Sequence, residues 1–100
     1  MAILPETLDK ALDLAMSKLE PEMTAAKAAL DATEHGTDER AAAVERFNQA
    51  HVAISLAQSN ITAMWSQRRK IARIAASSAR YAAELGKIER NLADYLAKFA

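Results

Sequence analysis

A chain of 100 residues with 13 basic and 13 acidic side chains and no cysteine reads as one small domain, without a disulfide framework or a thiolate metal site. Its zero net charge does not suit a dedicated DNA-binding domain, which is usually strongly basic. The N-terminus lacks a basic segment followed by an apolar core, and no apolar stretch approaches the ~20 residues that span a bilayer, so neither export by the usual signal nor a membrane span is expected and the cytoplasm is the default.

Hydrophobic residues make up 51% of the chain, with two glycines and two prolines, and no stretch alternates as a strand would. The composition reads as helix nearly throughout. Alanine dominates the apolar fraction and adds little buried area, so Leu, Ile, Val, Met and the aromatics are expected to carry the core. A domain this small buries only about 60–65% of the surface its unfolded chain exposes, so self-association would help it.

Leu8, Leu12, Ala15, Leu19, Met23, Ala26 and Leu30 recur at spacings of three and four, which predicts one apolar stripe on a helix over residues 5–34. Pro5 suits its first turn. Pro21, off the stripe, predicts a kink or a short break, and the uninterrupted stripe favours the kink. His35-Gly36-Thr37-Asp38-Glu39 then punctuates the chain at 35–37. Gly36 can take the left-handed conformation that ends a helix, Thr37 can cap the next, and Asp38 and Glu39 complement its positive end. A link this short makes the flanking helices antiparallel neighbours.

A long second helix is expected over residues 38–99. Its first seam runs Val44, Phe47, His51, Ile54, Gln58, Ile61, Trp65 and its second Ile71, Ile74, Ser78, Tyr81, Leu85, Ile88, Leu92, Tyr95, Phe99. The second spans four heptads, the pattern of a coiled coil. The two are out of phase, since Ile61, Met64, Arg68, Ile71, Ile74 bridges them only with two consecutive spacings of three. That indicates either a stammer in one continuous helix, which the lack of Gly or Pro from 37 to 85 favours, or a turn near Ser59-Asn60. The fold class is therefore all-α: an antiparallel helical hairpin, or a three-helix bundle, with a long C-terminal coiled-coil-like helix.

Ala72, Ala76, Ala79, Ala83 and Gly86 also recur at helical spacing and read either as a line of close helix approach or as plain surface helix formers. Charge is segregated. Residues 1–45 hold ten acids and four bases, 46–83 six bases and no acid, and the remainder three of each. The bland reading sets the acidic helix antiparallel beside the basic one, within the chain or across a subunit interface.

Trp65, Arg69, Arg73 and Arg80 fall within about 80° on a helical wheel, flanked by Arg68 and Lys70 and opposite the second seam. Guanidinium groups beside an aromatic suit phosphates, nucleic-acid backbone or an acidic protein surface; the alternative is a solvated face paired within the chain. His51, on the first seam, reads as a buried core histidine, and His35 as a solvated turn residue. There is no HExxH, Glu-x-x-His or glycine-rich phosphate loop, so an enzyme, a metal site and a cofactor are not expected. Asn60-Ile61-Thr62 matches a glycosylation sequon, which has meaning only in a secreted protein. Met16, Met23, Met64, Tyr81 and Tyr95 sit at core spacings. The alternating charges from Glu84 to Lys98 suit a partner helix better than an anionic membrane.

The expectation is a non-enzymatic, homo-oligomeric protein-interaction module, such as an adaptor, an inhibitor or an assembly component. Ile71, Ile74, Tyr81, Leu85, Ile88, Leu92, Tyr95 and Phe99 would form its oligomer seam, and Trp65, Arg68, Arg69, Lys70, Arg73 and Arg80 would choose the partner. The alternative is a binder of nucleic acid or a phosphorylated small ligand through Arg69, Arg73 and Arg80. Short, cysteine-free, alanine-rich helical chains of this style occur among bacterial and phage accessory proteins, although no motif carries that likeness.

Overall fold

The computed structural model describes residues 4–100. Three α-helices account for most of it: α1, Leu8–Asp31; α2, Asp38–Ala75; and α3, Ala82–Leu96. Single 3₁₀ turns at Ala79–Tyr81 and Ala97–Phe99 flank α3. No strand occurs among the described residues, so the protein is all-α.

The first helix begins at Leu8 rather than Pro5 because Thr7 caps it: the Thr7 Oγ1 accepts a hydrogen bond from the Lys10 amide at 3.2 Å, satisfying one of the orphan N–H groups of the first turn. Its apolar stripe is the expected one, with Ala15 and Ala26 buried and Leu8, Leu12, Leu19, Met23 and Leu30 half-buried; Ala11 joins it, fully buried. The helix passes Pro21 without a break, and Pro21 lies on the exposed side.

Residues 32–37 form the first turn. Gly36 has φ +80°, a conformation that a β-carbon disfavours. Thr37 caps α2 by accepting from the Arg40 amide at 3.2 Å while its hydroxyl donates to the Glu34 carbonyl at 2.8 Å. The Arg40 guanidinium then reaches back and donates to the Leu30 and Thr33 carbonyls at 3.3 and 3.2 Å. A positive group thus sits over the negative, carbonyl end of α1, where the Leu30 carbonyl also accepts from the Thr33 amide and hydroxyl at 3.2 and 2.7 Å.

The second helix runs unbroken through Ser59-Asn60 and ends at Ala75, so the chain is neither one helix over 38–99 nor a bundle turning at 59–60. The stammer disappears as well. Arg40, Ala43, Phe47, Ala50, Ile54, Ala57, Ile61, Met64, Arg68, Ile71 and Ala75, all buried or half-buried, form an inward line on α2 whose spacings alternate strictly between three and four, and Asn60 and Trp65 beside it are turned inward as well. Val44, His51, Gln58 and Ile74, expected on the seams, are exposed. Each stands beside a buried or half-buried alanine that takes its place. His51 is accordingly a surface residue, not a core histidine.

The break comes at Ala76–Ser78. The Ser77 amide and hydroxyl both bond the Ile74 carbonyl, at 3.1 and 3.2 Å, a local alternative that competes with the helical ladder. Ser78 is extended, with φ −150° and ψ 113°, and its carbonyl accepts from the Tyr81 amide at 3.1 Å to start the next turn.

Both shorter helices run antiparallel to α2. Glu22 pairs with Arg46 and Met16 meets Gln58 along α1, while Glu89 pairs with Arg68 and Tyr95 bonds Asn60 along α3. Thus α1 covers the first half of α2 and α3 the second. At about 1.5 Å per residue α2 is about 57 Å long, nearly the whole 61 × 21 × 18 Å molecule. The radius of gyration, 18.2 Å, exceeds the ~13 Å of a compact 100-residue domain. Only at the middle of α2 do all three helices meet. There Ala11, Ala15, Ala57, Ile61, Trp65, Leu92 and Leu96 form the core, covered by Leu4, Leu8, Leu12, Tyr95 and Phe99.

Candidate interaction surface

The turn at Ala76–Ser78 divides the expected oligomer seam. Ile71 and Ile74 lie at the end of α2, whereas Tyr81, Leu85, Ile88, Leu92, Tyr95 and Phe99 lie on α3 and its flanking turns. The apolar face of α3 packs inside the chain: Leu92 is fully buried against the α2 core, Tyr95 and Phe99 stack edge to face at 5.7 Å, and the Asn60 amide donates to the Tyr95 hydroxyl at 3.3 Å. Over this stretch α2 and α3 cover one another. The line Ala72, Ala76, Ala79, Ala83, Gly86 is divided by the same turn, and all five residues are exposed. Alanines do mediate helix contact, but they are Ala43, Ala50 and Ala57.

The arginine face separates too. Trp65 is 7% exposed and belongs to the core. Arg68 turns the same way, its guanidinium 5.3 Å from the Trp65 ring and its Nε 3.1 Å from the Glu89 carboxylate. Arg69, Lys70 and Arg73 are exposed on α2, and Arg80 lies beyond the turn over the Tyr81 ring at 5.8 Å. These four make no ion pair among the described residues. Residues Asp31, Glu34, Asp38 and Glu39 are exposed at the opposite end. The segregated charge therefore gives a rod with an acidic and a basic end. Only Arg46 among the central bases reaches α1, where its Nε lies 2.7 Å from Glu22. That hydrogen-bonded pair holds the Glu22 carboxyl below its ordinary range and raises Arg46.

The remaining surface is the outer face of α2, opposite its inward line, which neither α1 nor α3 covers. Val52 and Leu56 stand there 61% and 57% exposed. No Asp, Glu, Lys or Arg lies between Arg46 and Arg68, so the middle of this face is uncharged for about 30 Å. Its C-terminal part is built mainly of small residues, Ser55, Ser59, Thr62, Ala63 and Ser66, which with Gln58 form a shallow, nearly flat surface. Glu45 precedes the uncharged stretch and Arg73 follows it. Side-chain size hides this face in the sequence, because it assigns Val44, His51 and Gln58 inward. The signal that marks it is the run of twenty-odd residues without charge.

No polar or charged residue is buried among the described residues, and no helix among them is long and apolar enough to cross a membrane. Compared with protein-family models, curated proteins and solved structures, the chain matches none.

Proposed function

We propose that this chain is a non-enzymatic helical protein-interaction module, an adaptor, inhibitor or assembly component of the cytoplasm that works as an oligomer. The observation that carries the reading is the outer face of α2, where Val52 and Leu56 stand in water on an uncharged surface. Burying a side chain of that size contributes roughly 1.5–3 kcal/mol, so a partner laid on this face gains what the folded chain leaves unused. The test is the double substitution Val52→Glu and Leu56→Glu. Helicity and melting temperature should stay close to those of the unmodified protein, because both side chains are solvent-facing. Native mass spectrometry of protein isolated from its own host should show a defined complex for the unmodified chain and its loss for the variant. An uncomplexed monomer in both cases overturns the reading.

A second reading rests on Arg69, Lys70, Arg73 and Arg80, which lack carboxylate partners among the described residues and suit phosphates of nucleic acid or of a small ligand. Arg69→Glu with Arg73→Glu should then abolish a gel shift with DNA or RNA, and the affinity of the unmodified protein should fall steeply with salt. Trp65 is buried in the core, so its fluorescence reports folding rather than ligand contact, and the gel shift carries this test.

A further inference from the structure

We infer that the occupant of the α2 outer face is a second copy of this chain, laid antiparallel about a two-fold axis through Ser59. The inference rests on the interaction-module reading and names its partner. Glu45, Val52, Ser59, Ser66 and Arg73 repeat every seven residues along the crest of this face, and all five are exposed. Reversing one copy on the other about Ser59 sets Glu45 opposite Arg73 of the second copy, Val52 opposite Ser66, and Leu56 opposite Thr62. Because the axis makes the contact isologous, each pairing occurs twice.

Two properties of the face select this arrangement over its alternatives. The first is charge. Antiparallel pairing places a Glu45–Arg73 pair at each end of the uncharged stretch, and beyond it the acidic residues Asp38 and Glu39 of one copy overlie the end of the other that carries Arg80. Parallel pairing would set Glu45 against Glu45 and Arg73 against Arg73, and like charges opposed at close range are unfavourable. The second is size. The large exposed side chains, Val52 and Leu56, lie N-terminal to Ser59, and the small ones, Thr62, Ala63 and Ser66, lie C-terminal to it. Antiparallel pairing lays the large groups of each copy over the small groups of the other, on the shallow surface formed by Ser55, Ser59, Thr62 and Ser66.

The contact is one helix wide. From Glu45 to Arg73 it is about 42 Å long and about 10 Å across, roughly 400 Å² per copy. Counted over both copies this is about 800 Å², below the roughly 1,000 Å² that a stable specific interface clears, so the dimer is a weak one that exchanges and dissociates on dilution.

The test uses reciprocal charge reversal. Glu45→Arg alone sets cation against cation at both ends of the contact, and Arg73→Glu alone sets anion against anion; each should weaken dimerisation by about tenfold or more. Mixed one to one, the two variants bring a cationic side chain of one copy against an anionic side chain of the other at both ends, so they should form a heterodimer. Sedimentation equilibrium from about 1 µM to about 500 µM, a range that brackets an exchanging dimer, measures all three, against a chain mass of 10.9 kDa. The chain has no cysteine, which permits a second measurement. Ser59→Cys should form a disulfide-linked dimer on mild oxidation. Gln49→Cys should not, since its counterpart on the second copy lies about 30 Å away along the axis. Crosslinking at both positions indicates parallel pairing and overturns the proposal, as does a monomer throughout the concentration range. If the chain stays monomeric while Val52→Glu with Leu56→Glu still abolishes a complex isolated from the host, the dimer falls and the interaction module stands.

Discussion

The two halves of α2 use one heptad spacing to hold two different neighbours. Toward α1 the inward line alternates Ala43, Ala50 and Ala57, each below a tenth exposed, with half-buried Phe47 and Ile54, and α1 answers with buried Ala11, Ala15 and Ala26 among half-buried Leu12, Leu19, Met23 and Leu30. Small side chains at every second seam position let two helices approach closely there, with the larger residues packed between them. Toward α3 the line offers Ile61, Arg68 and Ile71, with Trp65 beside it, met by Leu92 and Leu96, and contact is made by interlocking large groups. The comparison teaches that an alanine at a seam position is itself a packing residue. It also separates where stability comes from: close dispersion contact along one half, burial of large side chains at the junction with the other.

The largest expected effect is at that junction. Leu92→Ala and Ile61→Ala each remove a fully buried side chain where all three helices meet, and each should cost about 2–5 kcal/mol through lost burial and the cavity left behind. Because residues of α1, α2 and α3 share this core, thermal unfolding followed by far-UV circular dichroism and by Trp65 fluorescence should shift together. Two separate transitions in the Leu92→Ala protein would mean that the halves melt independently and that the junction does not couple them.

Proline separates the two halves by continuity. Asn60→Pro falls inside α2 and should cost about 3 kcal/mol or more, with loss of the Asn60–Tyr95 hydrogen bond. Ala79→Pro falls at the first position of the 3₁₀ turn, after an extended Ser78, where proline and its preceding residue both fit. It should leave the melting temperature nearly unchanged. Equal losses at the two positions would place continuous helix across Ser78 and return α2 and α3 to a single rod.

How much of this was legible in the residues follows from the same contrast. The α1 stripe and the turn at Gly36-Thr37 were readable, since leucines mark the first and a glycine with a capping threonine marks the second. The phase of α2 was not, because a reading by side-chain size prefers Val44 to Ala43, His51 to Ala50 and Ile74 to Ala75, and each choice slips the seam by one residue. The turn at Ala76–Ser78 carries neither Gly nor Pro, and the spacing of Ile71 to Phe99 runs straight across it. Only the long-range return of α3 onto α2 decides it, with Ser77-Ser78 the one local sign. The arginine cluster was misjoined for the same reason: a helical wheel places Arg80 beside Arg73 only if one helix holds both. The wheel also set Trp65 only about 40° from Arg69, enough to separate a core residue from a solvated one.

The alanine contrast can be sharpened directly. Ala50→Leu inserts bulk between α1 and α2 and should cost about 1–3 kcal/mol by overpacking, whereas Ala72→Leu, exposed on α2, should change stability by about 0.5 kcal/mol or less. Denaturant titrations of the two variants give the comparison. A tolerated leucine at position 50 would show that α1 does not approach closely and that both halves pack alike.

The smallest effect, confined to the α1 half, is one of pH. The Arg46 side chain donates to both Glu22 carboxylate oxygens, at 2.7 and 3.1 Å, and this bonding lowers the Glu22 pKa from its ordinary value of 4.5. A carboxyl whose pKa is lower in the folded chain stabilises the fold above its unfolded value, and that contribution is lost as pH falls through the lowered folded value. Both partners are exposed, so the shift in melting temperature is small and weakens with salt. Glu22→Gln removes the charge and leaves a weaker acceptor. The unmodified protein should melt slightly higher than the variant at neutral pH, and the two should converge as the solution is acidified through the lowered folded pKa. A gap that persists in acid would assign the difference to packing of the glutamate stem beside α2 rather than to its charge. Because α3 makes no contact with this pair, destabilising it by Leu92→Ala should leave the acid-dependent part of the gap unchanged.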